Sequence, residues 1–403
     1  KKACWNGDIE DLCKPKVDSA EVRQFLEQSV SAPRDARISK FGRQWFHPID
    51  LSAVYSLILQ YQDKVRKLVI GNTSIGIYKD TANADVFIYI RDVAELNFTA
   101  VQSTGVSIGS AITISKLIEF LNNTYQQNSS SYTVSHFPVI IKHLFRVANF
   151  QVRNSASWGG NFMLAHDYED FPSDIFTVMM GAGATVTVGD SSTGNQTTYS
   201  CTDFLNVDMT TKVLISMQIP FAAQQETMMT YKVSERHENA HAYVNASFRM
   251  TVDSTLTVTG TPTLAFGGIR THACRATQTE NYLVGKVLSN QNTLTTACNL
   301  MASELIPDSG PGDTKYRSQL SVNFFYKFYL SLLPNLPSSL ASAATPFERP
   351  ISTGEINYDT DPIEYPVSEY MPKIDAILQT SGEAHYADDT PVVQGTLYAA
   401  FVT

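Results

Sequence analysis

Apolar positions along the chain fall into short runs of two periods. Leu51, Val54, Leu57, Ile58 and Tyr61 recur at helical spacing, which predicts a helix from Ile49 to about Arg66, capped by Asp50 or Ser52. Lys67–Ile70 then reads as a short buried strand, and Val86–Ile90 and Val106–Ala111 as two more. A helix opens at Ile114 and runs to Leu121, and the Asn/Gln/Ser-rich stretch Asn122–Ser131 reads as an exposed loop. Val139–Phe150 is expected to be one helix with Ile140, Ile141, Leu144, Phe145 and Ala148 turned inward. Ile175–Met180 is helical, Ala184–Val188 and Val213–Pro220 are strands, and Ser191–Thr198 is a polar hairpin tip. Pro220 ends its ladder because it has no N–H to donate.

After Thr227 a second region begins. Met229–Val233, Tyr243–Val252 and Thr255–Phe266 read as antiparallel strands, and Thr277–Leu288, Thr293–Leu305 and Ser318–Leu332 as helices. The aromatic stripe Phe324, Phe325 and Phe328 fits a core or a subunit contact, the core being the better reading. Residues from Pro334 to about Tyr370 are rich in Pro and Ser and read as a linker. Residues 1 to about 36 form a polar lead-in punctuated by Pro15 and Pro33. The periods alone give mixed α and β.

Composition narrows the class. With 403 residues, 43% hydrophobic and 17% charged, the chain is globular and long enough for more than one domain. A net charge of −9 argues against a nucleic-acid partner. No apolar run reaches membrane-spanning length, and KKACWNGDIEDL has no apolar core of a signal peptide. The start lacks Met, so the chain is expected to begin inside a longer polypeptide. Cys4, Cys13, Cys201, Cys274 and Cys298 are widely scattered and never in C-x-x-C spacing, which suits free thiols in a cytoplasmic setting and gives neither a zinc nor an iron–sulfur site. Sequons at Asn72, Asn97, Asn122, Asn128, Asn195 and Asn245 leave secretion open.

Candidate chemistry centres on Phe150–Asp174. Ser157-Trp158-Gly159-Gly160-Asn161 brings two adjacent glycines, where a backbone can approach a ligand and offer successive N–H groups to anionic oxygens. Asp170 adds a carboxylate able to accept from sugar or polyol hydroxyls. A Gly pair more often marks a plain turn between strands, with nothing bound. A second stretch, Lys67–Gly76, is a strand run followed by the small polar loop G-N-T-S-I-G, which suits phosphate contacts. It is neither G-x-x-x-x-G-K nor G-x-G-x-x-G, so the P-loop and Rossmann mechanisms are unsupported.

K-L-V-I-G-N-T-S-I-G-I, N-S-A-S-W-G-G-N, E-D-F-P-S-D and T-Y-K-V, in that order, resemble the FAD domain of the xanthine dehydrogenase/aldehyde oxidase family of molybdenum hydroxylases, in a style near invertebrate aldehyde oxidases. R-S-Q-L-S-V-N-F-F-Y-K-F-Y-L continues the likeness. The resemblance implies an α+β fold: a two-lobed PCMH-type FAD-binding domain at 37–222, then a smaller α+β domain at 223–334 like the CO dehydrogenase flavoprotein C-terminal domain. A linker at 335–370 and the opening of a molybdenum-binding region at 371–403 would follow. Residues 1–36 would be a linker after a 2Fe–2S region absent from this chain.

The implied cofactor is FAD, with 2Fe–2S clusters and molybdopterin in parts of the protein not present here, and a homodimer as the assembly. The flavin would take electrons from the clusters and pass them to O₂ or NAD⁺. Leu68, Val69, Ile70, Gly71, Asn72, Thr73, Ser74 and Ile75, with Ser157, Gly159, Gly160 and Asn161, would hold the diphosphate and its neighbours. Val147 and Leu164 would join the site. Asp170 would bind ribityl or ribose hydroxyls, Leu214 would lie against a ring, and Lys232 would sit near the isoalloxazine carbonyls. Without the resemblance, Lys232 reads as a solvent-exposed strand lysine. No catalytic residue and no metal ligand is assigned in this chain.

Three departures from the family pattern matter. Ser74 stands where relatives often have Glu, and Leu164 where they often have Thr. S-E-R-H-E-N-A-H-A-Y follows Lys232, where xanthine dehydrogenases usually carry an Arg-Arg-Glu-Asp-Asp run, which favours an aldehyde oxidase and O₂. The alternative is a non-catalytic paralogue of that family serving as a flavin-binding, storage or interaction protein.

Overall fold

The computed structural model describes residues 35–40, 42–79, 83–308, 313–345, 361–367, 373, 375–397 and 399. Its first unit ends at Pro346, and the second runs from Phe347 to Thr403. Residues 1–34 of the lead-in, with Cys4 and Cys13, and half of the expected linker (346–360 and 368–370) lie outside the described residues.

The first lobe opens with the hairpin β1 (Ala36–Lys40) and β2 (Arg43–His47). Asp50 then caps α1 (Leu51–Gln60), its carboxylate accepting from the Ala53 N–H at 2.7 Å. The helix stops before Arg66, because Arg66 already belongs to the strand β3 (Arg66–Val69). β3 and β2 both run parallel to β4 (Val86–Tyr89), giving the order β1-β2-β4-β3. Val54 and Ile58 of α1 pack on Val86 and Ile88 of the sheet.

The second lobe runs through β5 (Thr99–Val101), β6 (Gly105–Gly109), α2 (Ile114–Gln127), α3 (Phe137–Leu144), α4 (Phe150–Ser155), α5 (Trp158–Asp167) and α6 (Asp174–Ala182). β7 (Thr185–Asp190), β8 (Gln196–Ser200), the single turn α7 (Cys201–Phe204) and β9 (Lys212–Pro220) complete it. Its antiparallel sheet has the order β5-β6-β9-β7-β8. Trp158, Phe162, Phe176 and Phe204 form its aromatic centre.

Three local expectations change here. α2 continues through the Asn/Gln-rich stretch to Gln127, because Leu117, Ile118, Leu121 and Thr124 keep one buried face while the polar residues take the other. The single helix expected over 139–150 is two. Ala148 adopts φ +51°, outside helical space, and Asn149 caps α4 by accepting from the Val152 N–H at 2.9 Å. Phe145 consequently points outward, half exposed. The glycine pair is not a turn between strands but the first turn of α5, capped by Ser157, whose Oγ accepts from the Gly160 N–H at 2.9 Å. Trp158 anchors that turn in the core, its Nε1 donating to the Gly109 carbonyl at 2.7 Å.

The third lobe is an antiparallel sheet, β10 (Glu226–Ser234), β11 (Ala242–Thr251), β12 (Thr263–Gly267) and β13 (Cys274–Arg275), in that order. It is covered by α8 (Thr277–Leu283), α9 (Gln291–Glu304), α10 (Thr314–Ser331) and α11 (Ser338–Ala344). β12 is shorter than the expected run from Thr255, because Asp253 draws the Thr255 and Thr257 N–H groups into a turn at 2.8 and 2.9 Å. α8 ends before Leu288, two residues ahead of Gly285 at φ +71°. Phe324, Phe325 and Phe328 belong to the core, with Phe324 stacked on Tyr231 at 5.1 Å between ring centroids. That stripe is therefore consumed inside the lobe. The expected linker begins with α11. In the second unit the described residues contain one short α-helix, α12 (Ala376–Ser381), ended by Gly382 at φ +79°, and two 3-10 turns. The chain is an α+β protein with a two-lobed first domain and a smaller α+β domain after it.

Candidate functional site

A cavity of about 1150 Å³ is walled by β3 and its following loop, the start of α5, the start of β9 and the β10–β11 hairpin. Gly71 and Gly160 both line it. The loop after β3 reaches the cavity by packing main chain on main chain: a Cβ at Gly71 would overlap the carbonyl oxygen of Ser155. Next in the chain, Asn72 takes φ +50°, a region Asn tolerates better than most residues, and its Oδ1 accepts from Lys67 Nζ at 3.0 Å. Ser74 closes the turn, its carbonyl accepting the Ile77 and Tyr78 N–H groups at 2.9 Å each.

On the facing wall, Gly159 is pressed against Ser110, where a Cβ would stand 2.6 Å from the Ser110 carbonyl oxygen. First-turn N–H groups have no partner inside their own helix, and Ser157 satisfies one of them. Ser110 is buried and lines the cavity, yet its Oγ has no hydrogen-bond partner among the described residues. An orphaned hydroxyl beside two bare backbone segments and a helix N-terminus is a cradle for an anionic, oxygen-rich group.

Charge is unevenly spread over the walls. Arg66, Lys67 and Lys212 line the cavity near the starts of β3 and β9. Arg66 donates to the carbonyls of Ile58 and Thr210 at 2.8 and 2.9 Å, and Lys212 to that of Asp208 at 2.8 Å. His166 lies between Asp167, 2.6 Å from its Nδ1, and the Val207 carbonyl, 2.8 Å from its Nε2. The bond to the Asp167 carboxylate raises its pKa. Elsewhere the wall is aromatic. Tyr78 packs against Tyr168 with the rings tilted and 4.0 Å between centroids, it meets Phe171 edge-on, and Phe171 meets His241 of the β10–β11 hairpin at 5.3 Å. Burial and the nearby Asp170 push Tyr78 up to about 12.

Of the residues expected at the site, Leu68, Val69, Ile70, Gly71, Asn72, Thr73, Ser74, Val147, Ser157, Gly159, Gly160, Asn161, Leu164 and Leu214 line this one cavity. Ile75 does not; it is exposed, and Ile77 takes part in the wall instead. Asp170 borders a smaller adjoining cavity of about 200 Å³, close enough to act electrostatically on Tyr78 and His241. Lys232 is neither exposed nor on the cavity wall: its side chain is 1% accessible, and Nζ sits 2.6 Å from Asp174 Oδ2 and 3.1 Å from the Arg146 carbonyl. Asp174, which does line the cavity, was missed. It stands one residue after the cap Ser173 in the same E-D-F-P-S-D string from which only Asp170 was weighed. Ser110 and the aromatic wall carried no signal, since each works through a partner remote in sequence. The sequon at Asn245 is fully buried, and that at Asn72 is on the cavity wall.

Residues 39–222 match the FAD binding domain in molybdopterin dehydrogenase, and residues 229–332 the CO dehydrogenase flavoprotein C-terminal domain. Among curated proteins, probable aldehyde oxidase 4 of Oryza sativa subsp. japonica is 32% identical over 97% of this chain and 48% of its own length. An indole-3-acetaldehyde oxidase of Arabidopsis thaliana is 34% identical over 99% of this chain and 31% of its own length. The chain thus spans less than half of either relative. Among solved structures, carbon monoxide dehydrogenase from Hydrogenophaga pseudoflava (19% identity, TM-score 0.58) covers 71% of this chain and is itself 94% covered. Quinoline 2-oxidoreductase from Pseudomonas putida 86 (22%, TM-score 0.58) covers 74% and is 98% covered. These two show the fold. With both domain matches in colinear order and the relatives aligned over nearly the whole chain, this protein belongs to the xanthine dehydrogenase/aldehyde oxidase family of molybdenum hydroxylases, as its FAD-binding segment.

Proposed function

We propose that the chain holds one FAD in this cavity, with the diphosphate against the Gly71–Ser74 loop and the first turn of α5. The observation that carries the reading is the paired close approach of Gly71 to Ser155 and of Gly159 to Ser110, which sets two stretches of bare main chain on the walls of one cavity. Backbone N–H groups and a helix N-terminus favour phosphate oxygens. Ser110 and Ser157 add hydroxyls beside them, and Asn72, Thr73 and Asn161 add polar contacts to phosphate or sugar. Leu68, Val69, Ile70, Val147, Leu164 and Leu214 offer apolar wall to the rings. Ile75 backs the loop, and Asp170 acts from the rim.

When bound, FAD supplies the redox chemistry, and the protein supplies position and electrostatics. In the whole protein we place 2Fe–2S clusters and a molybdopterin centre on segments outside this chain, as the source of the electrons. An aldehyde is the substrate and O₂, in preference to NAD⁺, the acceptor. The relatives, an aldehyde oxidase and an indole-3-acetaldehyde oxidase by name, support the aldehyde. The S-E-R-H-E-N-A-H-A-Y hairpin, which brings Glu235, Arg236 and His241 to the cavity, supports the preference for O₂.

The test is retention of flavin by the full chain after gel filtration with FAD or with FMN, read by absorbance. One FAD kept per chain, with little FMN, fits recognition through the diphosphate. Neither flavin kept, or both kept equally, overturns the reading.

A further inference from the structure

Lys232 and Asp174 form an enclosed ion pair beside the cavity, their side chains 1% and 9% accessible, and the pair joins two lobes. Asp174 opens α6 in the second lobe, and Lys232 lies on β10 in the third. Both carboxylate oxygens are engaged from the third lobe. Oδ2 takes Lys232 Nζ at 2.6 Å, and Oδ1 takes Asn245 Nδ2 of β11 at 2.8 Å. Asn245 Nδ2 also donates to the Pro172 carbonyl at 3.1 Å, fixing the chain just before α6. The link is returned on the other side: Arg146 Nη2 donates to the Lys232 carbonyl at 2.9 Å while Lys232 Nζ donates to the Arg146 carbonyl. Arg146 lies just beyond α3 and next to the cavity residue Val147.

These contacts leave Lys232 no line to the cavity. Its ammonium is spent on Asp174 and on a carbonyl, and its side chain is 1% accessible. Asp174, in contrast, lines the cavity. A carboxylate there would repel an anionic ligand unless a cation behind it balanced the charge. We infer that Asp174 is a positioning residue for the cofactor and that Lys232 serves the site only through it, cancelling its charge and locking the start of α6 to β10 and β11. The inference rests on the flavin reading and adds to it which residue does the work. The charge balance is consistent with a folded Asp174 carboxyl lowered to about 2, where the His143 and Lys232 contacts outweigh burial. The other charged or titratable groups acting on Asp174 are His143 and Arg146, from α3 and the residues just beyond it, and His241 from the hairpin.

The two roles for Lys232 separate in a double-mutant experiment on the full chain. Affinity for FAD is titrated from pH 5 to pH 8 in the wild type, in Lys232→Met and in Lys232→Met/Asp174→Asn. Removing one partner of a buried pair leaves its mate uncompensated, whereas removing both does not. Lys232→Met is therefore expected to weaken FAD binding by about tenfold or more at pH 8, with recovery at lower pH as Asp174 takes up a proton. The double variant is expected to recover at least about half of the affinity, on a logarithmic scale, that Lys232→Met loses at pH 8, with a flat pH profile and an unchanged flavin spectrum. A double variant that loses FAD as fully as Lys232→Met, at every pH, means that Lys232 touches the cofactor and overturns the inference. If Lys232→Met does not fold, the double variant decides alone: FAD affinity kept within about tenfold of the wild type supports the inference, and a larger loss at every pH overturns it. A wild-type chain that takes no FAD overturns the flavin reading and this role together, a pattern distinct from loss in the double variant only.

Discussion

Gly71 stands against Ser155 with no room for a side chain, since a Cβ on it would overlap the Ser155 carbonyl oxygen. Two segments far apart in sequence are thereby brought into direct main-chain contact on the cavity wall. A methyl group at Gly71 must push the loop after β3 away from the end of α4. Gly71→Ala is expected to cost about 1–3 kcal/mol of stability and to lower FAD affinity by at least about tenfold. Gly159→Ala, beside the Ser110 carbonyl, should behave alike. Gly76, which has nothing within 4 Å of a would-be Cβ, is the control, and Gly76→Ala should leave both quantities nearly unchanged. Denaturant unfolding with FAD titration measures all three.

Ser110 gives a sharper test of contact. Its buried hydroxyl has no partner among the described residues, so Ser110→Ala removes a polar group that the protein alone does not satisfy. The ligand-free chain should be as stable as the wild type or slightly more so. If the hydroxyl bonds to FAD, affinity falls by about three- to tenfold. Equal affinity in the two proteins would show that it faces no cofactor atom.

Ala148 sits at φ +51°, between α3 and α4, where a Cβ is strained. Ala148→Gly should raise stability by about 0.5–1 kcal/mol, against the usual direction for glycine, because the native conformation already suits it. Thermal melting of the purified variant checks this. A lower melting temperature would mean that the Ala148 methyl contributes more by packing than it costs in strain.

His136 is buried beside Glu226, which also faces Arg249 at 3.7 Å. Burial, with the Arg249 charge adding to it, lowers the His136 pKa from 6.5 to about 4. The folded protein therefore holds this ring neutral over a range where the unfolded chain binds a proton. Its contribution to stability is complete above pH 6.5 and is lost as pH falls from 6.5 towards 4, by about 3 kcal/mol at most. Urea unfolding at pH 7.5 and pH 4.5 should show this loss, and His136→Gln should flatten the difference.

The sequence carried those parts of the site whose chemistry is local. Asp50 as a helix cap, the short run into Gly71 and the string around Ser157 each needed only neighbouring residues to be read, and the latter two line one cavity. The glycine pair was misplaced in structural type because its helix is nucleated by Trp158, whose partner Gly109 is remote in sequence. The burial of Lys232 and the part played by Asp174 escaped the sequence for the same reason. A lysine alternating along a strand looks exposed until the carboxylate that buries it is known, and here that carboxylate lies on α6. Ser110, Tyr78 and His241 became visible only when three separate segments were brought to a common wall.

The walls of the cavity begin at β3 and finish at the hairpin between β10 and β11. Neither the first lobe nor the first two together can therefore hold the ligand as the whole does. On the proposed flavin reading, the site is complete only once β10 and β11 have emerged and docked on α6, and cofactor capture is expected to follow most of the folding of this unit rather than template it. After free FAD is removed by gel filtration, a nascent chain stalled before Ala242 should retain no flavin, and one released beyond the end of α10 should retain it.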